Sequence, residues 1–175
     1  MSTAFNPDFD PTGIEGGVDT HAVPWLPLPQ APGLELKPLR ASNESGMFSA
    51  ILRLRGGTRL APLVHLGAMD LMVLSGALTY GEGPLAGTHG PGTWGYVPAN
   101  ARIVGLGADE DVECLVNCYG PIAFLEGNGR AVDSVLTSLD VLLAARRHGL
   151  TLVPNTLAEC MLARTSSVAA DAPLA

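Results

Sequence analysis

Four histidines, three cysteines and scattered carboxylates are the residues of this 175-residue chain that can carry chemistry. His65 is the most informative. It lies in the apolar run Leu60 to Leu66, where alternation predicts a strand that puts Leu63 and His65 on one face. An imidazole with a pKa near 6.5 can accept and donate a proton at neutral pH, which suits general acid/base work. Asp70 follows five residues later, past Gly67-Ala68. It can orient His65 or stabilise its protonated form, or it can be a turn aspartate bonded to backbone. Tyr80, Glu82 and His89 flank the loop Gly81 to Thr88. His65, Glu82 and His89 together offer two imidazoles and one carboxylate, the donors of a facial metal site. Polar residues of such a loop are otherwise solvated. Cys114 and Cys118 are four apart on one predicted strand, hence on one face, as thiolate ligands or as small buried side chains. Whether that face, or the one with Glu113, Asn117 and Tyr119, points inward stays open. His21 and His148 read as surface residues. Gly90-Pro91-Gly92 reads as a turn, not a phosphate loop, because no helix with Lys-Ser/Thr follows.

The elements that must position these groups are short. Gly 21 and Pro 14 are high together, and aromatic residues make up only 5%. Many turns follow from that, and a helical bundle does not. Between Met47 and Glu126, apolar runs at Ile51–Arg55, Leu60–Leu66, Asp70–Leu74, Ala77–Gly81, Thr93–Val97, Arg102–Leu106 and Val112–Tyr119 alternate with Gly and Pro signals. Gly56-Gly57 reads as a hairpin turn. About eight such strands predict an all-β antiparallel sandwich or barrel. Val18 to Arg40 carries Pro24, Pro27, Pro29, Pro32 and Pro38, which forbid a helix and a central strand and predict an extended segment along a sheet edge. One helix is expected from Asp133 as N-cap, with Val135, Leu136, Leu139, Leu142 and Leu143 as its apolar stripe and Gly149 as its stop. The expected organisation is a flexible arm at 1–17, one domain at 18–150 including the helix, and a tail at 151–175.

Composition also excludes partners. A net charge of −7 lacks the basic footprint of a nucleic-acid binder. No apolar run approaches the roughly 20 residues of a membrane span, and Met1 to Asp10 carries no leader pattern, so a cytoplasmic home is expected. Cys114, Cys118 and Cys160 are odd in number with no CxxC pair, so reduced thiols are expected.

The spacing within the strand region resembles the cupin superfamily. Its first motif is a Gly, five residues, His-x-His, a Glu after three or four residues, and a later Gly; Gly57, His65, Asp70 and Gly76 fall on it. Its second is a Gly, five residues, Pro-x-Gly, two residues, His; Gly92 and Pro98 fall on it, with Asn100 in the place of the Gly. Val18-Asp19-Thr20, Pro24-Trp25, Lys37-Pro38-Leu39-Arg40, Gly90-Pro91-Gly92-Thr93, Pro98-Ala99-Asn100 and Gly127-Asn128-Gly129-Arg130 look like the small single-domain cupins of the 2,4′-dihydroxyacetophenone dioxygenase and acetylacetone-cleaving type. The resemblance spans roughly Val18 to Gly149 and implies a single cupin barrel with His65 pointing inward. In that family iron is held mainly by histidines. Here Leu63 stands at the first His, Asp70 at the Glu, Ile103 at the second-motif His, and Val97 where relatives often carry Glu before the Pro.

From that pattern the expected function is a small-molecule enzyme without cofactor, in which His65 and Asp70 are catalytic. Leu63, Tyr80, Glu82 and Ile103 would line the pocket for a ketone or polyketide-like substrate, and isomerisation, dehydration, cyclisation and lyase cleavage all fit. One alternative is an iron-dependent dioxygenase cleaving an aromatic hydroxyketone or β-diketone, its site rebuilt from His65, Glu82 and His89. Another is a non-catalytic ligand-binding cupin. Arg102 should face opposite to Ile103, hence outward. A homodimer is expected, because open sheet edges need cover and the arm Val18 to Arg40 is long enough to reach a neighbour.

Overall fold

A computed structural model describes residues 18–150 and 152. The expected arm at 1–17, nearly all of the tail at 151–175, and Cys160 lie outside the described residues. The elements run β1 (Leu26–Pro27), β2 (Leu34–Ala41), β3 (Phe48–Leu54), β4 (Leu63–His65), β5 (Met69–Ser75), β6 (Leu78–Tyr80), β7 (Gly87–His89), β8 (Trp94–Val97), β9 (Ala101–Ile103), β10 (Val112–Cys118), β11 (Ile122–Leu125), β12 (Val132–Leu136) and α1 (Ser138–Arg147). One sheet has the order β1-β2-β3-β10-β5-β8, a second β12-β11-β4-β9, and β6 pairs with β7 as a separate ribbon. Every pairing is antiparallel. Among the described residues the result is an all-β antiparallel barrel with one helix, as the strand spacing predicts.

Alternation explains how the two large sheets close on each other. In β10, Val112, Cys114, Val116 and Cys118 are buried while Glu113, Leu115 and Asn117 are less so. The cysteine face of this strand therefore points inward. β5 repeats the pattern with Met69, Leu71 and Val73, and β4 with Leu63 and His65. The core that results contains Leu36, Phe48, Val97, Ile103, Leu136 and Val141, each essentially excluded from solvent.

Three expectations are corrected. The proline-rich segment is extended as predicted, but its second half is a full strand. β1 pairs only with Glu35 and Leu36, so Pro38 stays on an otherwise open flank of β2, and the β2–β3 ladder shifts register between Pro38 and Arg40. An edge and a bulge are where a strand tolerates a residue without an N–H. Gly56-Gly57 is not a hairpin, since β3 pairs with β2 and β10 while β4 lies in the other sheet. The chain crosses between sheets there, with Thr58 N–H donating to the Arg55 carbonyl at 3.0 Å. Last, Asp133 caps nothing: Val132–Leu136 is a strand on β11. The helix begins after Thr137, whose hydroxyl accepts from the Asp140 N–H at 3.3 Å while the Asp140 carboxylate accepts from the Thr137 N–H at 2.8 Å, a reciprocal cap. With the start moved, Ser138, Val141 and Ala145 form the buried face, and Leu139 and Leu143 turn outward. The helix packs against β2 and ends at Gly149 (φ 66).

Two turn positions show why the family pattern persists. Asn100 is the non-glycine residue with positive φ, at 63°, among the described residues, a conformation that Asn tolerates better than most. Its N–H donates to the His65 carbonyl at 2.6 Å, so this turn fixes the end of β4. Gly76 leaves β5 at φ 73, and a Cβ there would run into the Asp111 carbonyl oxygen and Val112. Gly76→Ala is expected to lower stability by about 1–3 kcal/mol, read as a reduced urea midpoint at unchanged slope. Gly90→Ala, whose Cβ would meet nothing within 4 Å, is the near-neutral control.

Candidate functional site

The inward faces of the strands do not meet everywhere. Between them lies a cavity of about 60 Å³ that opens to the outside. The six-stranded sheet supplies Leu34, Leu52, Leu54, Met69, Leu71, Val112, Cys114 and Val116 to its wall; the four-stranded sheet supplies Leu63, His65, Ile122 and Phe124. Leu78 and Tyr80 come from the β6–β7 ribbon, and Leu60 and Leu106 from connections. The polar side chains on this wall are His65, Tyr80 and Cys114.

All three are uncharged at neutral pH, and the cause is shared. His65 is 3% exposed, and its ring makes no hydrogen bond among the described residues. Burial lowers its pKa from 6.5 to about 4, because the imidazolium would lose its hydration and gain no counter-charge. Burial, and after it the neighbouring Cys114 and Cys118 thiols, push the Tyr80 phenol up. Burial, then Glu113, pushes the Cys114 thiol up to about 12. Cys118 is also raised, by burial and then by Asp70. Both cysteines are free buried thiols, so the small-apolar reading of this pair fits them better than the thiolate reading.

Other predicted site residues lie elsewhere. Asp70 alternates with Met69 and Leu71, so it faces the outer side of the sheet, where it accepts from the Tyr119 hydroxyl at 3.1 Å. It cannot orient His65 through direct contact. Ile103 pairs with Leu63 across the β4–β9 ladder but is fully buried and absent from the cavity wall. Its Cδ1 sits 2.9 Å from where a Cβ on Gly83 would come, beneath the β6–β7 loop. Glu82 is exposed, its backbone tied to Val104 by bonds of 2.9 and 3.3 Å. His89 stands edge-on to Tyr80, ring centroids 6.0 Å apart. Its Nε2–H donates to the Leu85 carbonyl at 2.7 Å, so it buttresses Tyr80 from behind the wall. Arg102 is exposed, as expected. The sequence reading missed the contributions of Leu34, Leu52 and Leu54. The signal for Leu34 was the alternation Leu34-Glu35-Leu36-Lys37, discounted because of its prolines, and for Leu52 and Leu54 it was their shared face on the predicted strand Ile51–Arg55.

The donors present do not match an iron site of the kind the resemblance implies. Leu63 and Ile103 are hydrocarbon, Asp70 faces away, and among the described residues no three His, Cys, Asp or Glu side chains converge where they could hold an ion. His65, Glu82 and His89 are not brought together. One imidazole and one protonated thiol do not make a ferrous site, so the residues do not fit the group.

The profile of the ChrR cupin-like domain matches residues 15–123. No curated protein matches the chain. Among solved structures, a protein of Methylibium petroleiphilum PM1 assigned as an acetylacetone dioxygenase is 27% identical, with a TM-score of 0.66 over 74% of this chain and 93% of that one. An acetylacetone dioxygenase from Acinetobacter johnsonii is 18% identical, with a TM-score of 0.62 over 73% and 87%. An RmlC-like cupin from Ralstonia eutropha JMP134 is 18% identical, with a TM-score of 0.67 over 81% and 94%. The barrel, the motif turns at Gly76 and Asn100 and the profile match over more than half of its length agree: the chain belongs to the ChrR cupin-like domain family.

Proposed function

We propose that this protein is a small-molecule enzyme that works without a bound metal, with His65 moving a proton on an uncharged ketone or polyketide-like substrate held in the barrel. The observation that carries the reading is the cavity wall: thirteen hydrocarbon or thioether side chains around His65, Tyr80 and Cys114, with no charged group to receive a carboxylate or phosphate. Such a wall selects neutral apolar molecules. At pH 7 the His65 ring is wholly the free base, so it can accept a proton from a carbon next to a carbonyl. The imidazolium and enolate then formed attract each other strongly in the apolar cavity. Tyr80, held as the neutral phenol, keeps a hydrogen to donate. Returning the proton to another carbon completes an isomerisation without any oxidant or co-reactant. Dehydration, cyclisation or C–C cleavage would use the same group. The Methylibium protein's name, an acetylacetone dioxygenase, supports a β-diketone or aryl ketone as the first compounds to try.

A second reading, binding without turnover, draws support from one observation: among the described residues no carboxylate orients the His65 ring. Proton exchange separates the two. The wild type is expected to exchange the α-protons of acetylacetone or an acetophenone in deuterium oxide, followed by NMR. His65→Gln is expected to slow this by about two to four orders of magnitude with the fold retained. The enzyme's exchange rate should stay flat from pH 8 down to about pH 5, because its base titrates near 4, whereas an ordinary imidazole would lose half its effect near 6.5. Binding with no exchange would leave the second reading.

The depressed His65 pKa also fixes a stability trend. Below pH 6.5 the unfolded chain takes up a proton that the folded state refuses until about pH 4. Stability therefore falls as pH drops through this window, by about 3 kcal/mol from this group. Urea titrations at pH 7 and pH 4.5 should show a steeper loss for wild type than for His65→Leu; equal slopes would mean the ring is solvated.

Elemental analysis of protein purified without added metal is expected to give far less than one equivalent of iron, zinc or nickel, and chelators should leave exchange untouched. One equivalent of metal, lost in Glu82→Gln or His89→Ala, would move the iron-dependent dioxygenase reading to first place.

A further inference from the structure

The outer face of the six-stranded sheet carries one recognition chemistry twice, once complete and once lacking a part. On the β2–β3 half it is complete. Arg53 lies between Glu113, at 2.7 Å, and Glu35, at 3.8 Å. The Trp25 ring covers its guanidinium, 3.8 Å from the ring centre. The Lys37 ammonium meets the same ring at 4.8 Å and donates to the Thr20 carbonyl at 2.6 Å. The proline-rich arm, expected to reach a neighbour, therefore covers its own sheet. Ring, cation and carboxylate form a closed set here: the ring's quadrupole attracts the cation, and the carboxylates balance its charge.

The β8–β5–β10 half has the rings and the carboxylate. Alternation sends Trp94 and Tyr96 of β8 outward, with Asp70, Met72 and Leu74 of β5. The ladder sets Tyr96 directly opposite Asp70 and Trp94 opposite Met72. Trp94 is thus the diagonal neighbour of Asp70, at a spacing of about 7–8 Å that an aromatic side chain can span. Tyr119, just after β10, donates its hydroxyl to one Asp70 oxygen at 3.1 Å. That bond is the largest cause of a raised Tyr119 pKa; Arg40, which lowers it, and Tyr96, which raises it, act less. The rings are open to solvent: Trp94 is 60% exposed, Tyr96 49% and Tyr119 48%. What this half lacks is the cation. Among the described residues none pairs with Asp70, and none lies over Trp94, Tyr96 or Tyr119. Arg40 directs an Nη to the Met47 sulfur instead, at 3.5 Å.

We infer that this half of the face is a docking site for an arginine of a different protein, its guanidinium set against Asp70 and the rings of Tyr96 and Trp94. Charge complementarity selects the occupant. Asp70 keeps one oxygen without a protein partner among the described residues, and the chain's net charge of −7 draws a basic partner and repels an anionic surface or another copy of itself. Arginine fits better than lysine. A planar guanidinium lies flat on an indole or phenol ring while its N–H groups reach a carboxylate, whereas an ammonium is a compact point charge that holds its water. The surroundings select a protein over a free small cation. Met72 and Leu74 are exposed beside the rings, and a contiguous aromatic and aliphatic patch marks an interaction surface. A free cation would leave those side chains in water, but an arginine flanked by apolar residues would cover them. Trp, Tyr and Arg are also the residues that concentrate binding energy at the centres of protein interfaces.

Three capped probes test this on the full chain labelled with nitrogen-15: acetyl-Leu-Arg-Leu-amide, the same peptide with citrulline for arginine, and acetyl-arginine-amide. The two indole N–H signals are followed by NMR, and Trp94→Phe identifies which belongs to Trp94. The arginine peptide is expected to shift the Trp94 signal saturably, with a dissociation constant of about 1 mM, and to leave that of Trp25 in place. The citrulline peptide, equal in shape but uncharged, should bind about tenfold more weakly, and capped arginine alone about fivefold. Asp70→Asn should raise the dissociation constant of the arginine peptide about tenfold with circular dichroism unchanged; Tyr96→Leu gives a second reading of the site if Asp70→Asn fails to fold. The absence of a saturable Trp94 shift overturns the inference, including the case where the rest of the chain covers the face. Equal affinity for the citrulline peptide, or unchanged affinity in Asp70→Asn, overturns it by removing the cation from the contact. Equal affinity for capped arginine alone overturns the choice of a protein partner. Sedimentation velocity that shows the wild type self-associating, and Trp94→Asp not, overturns it by giving the face to a second copy. These outcomes are independent of the proton chemistry in the cavity, on the other side of the sheet.

Discussion

His65 sits on a mostly hydrocarbon wall with no carboxylate beside it among the described residues, and this desolvation governs the rest of the site. An imidazole paired with an acid would hold a charge at neutral pH and would welcome anionic or strongly hydrated ligands. Unpaired, it is a neutral nitrogen on a wall where Tyr80 and Cys114 are kept neutral by the same exclusion of water. The barrel interior is thus a low-dielectric medium in which a charge forms only together with its opposite.

The motif positions separate fold from chemistry. Gly76 and Asn100 keep backbone conformations that few other residues accept, and Asn100 anchors the carbonyl of His65 itself. At two donor positions of the motifs that the chain resembles, one before Gly76 and one after Asn100, stand Leu63 and Ile103. Both are strand residues facing the interior, where a branched hydrocarbon fills the space of an imidazole without leaving a polar atom unpaired. A barrel can therefore keep its turns, lose its ligands and remain folded, and the family likeness speaks more strongly about architecture than about reaction.

Much of the barrel was legible because apolar and polar residues alternate with period two between strong turn signals. Leu63, His65 and the strands around them follow from that pattern. The failures have specific causes. Prolines hid β2, although a flank and a register shift accommodate Pro38. Val132 to Leu136 satisfies a helical spacing as well as a strand one, and its pairing with β11 decides the matter, a long-range choice that no local window contains. The side of Asp70 was obscured by the Gly67-Ala68 turn, because a turn resets the phase of alternation. The inward face of β10 emerged only from its two neighbours, β3 and β5.

The cavity has a mechanical consequence as well. Where apolar walls leave space that water does not profitably fill, the folded molecule occupies more volume than its atoms require. Unfolding eliminates that space, so hydrostatic pressure acts against the barrel in proportion to its emptiness. A molecule seated against Leu63, Phe124 and Tyr80 would occupy the void and stiffen both sheets at once. A ligand that fills the cavity would bring the barrel interior toward the density of an ordinary core.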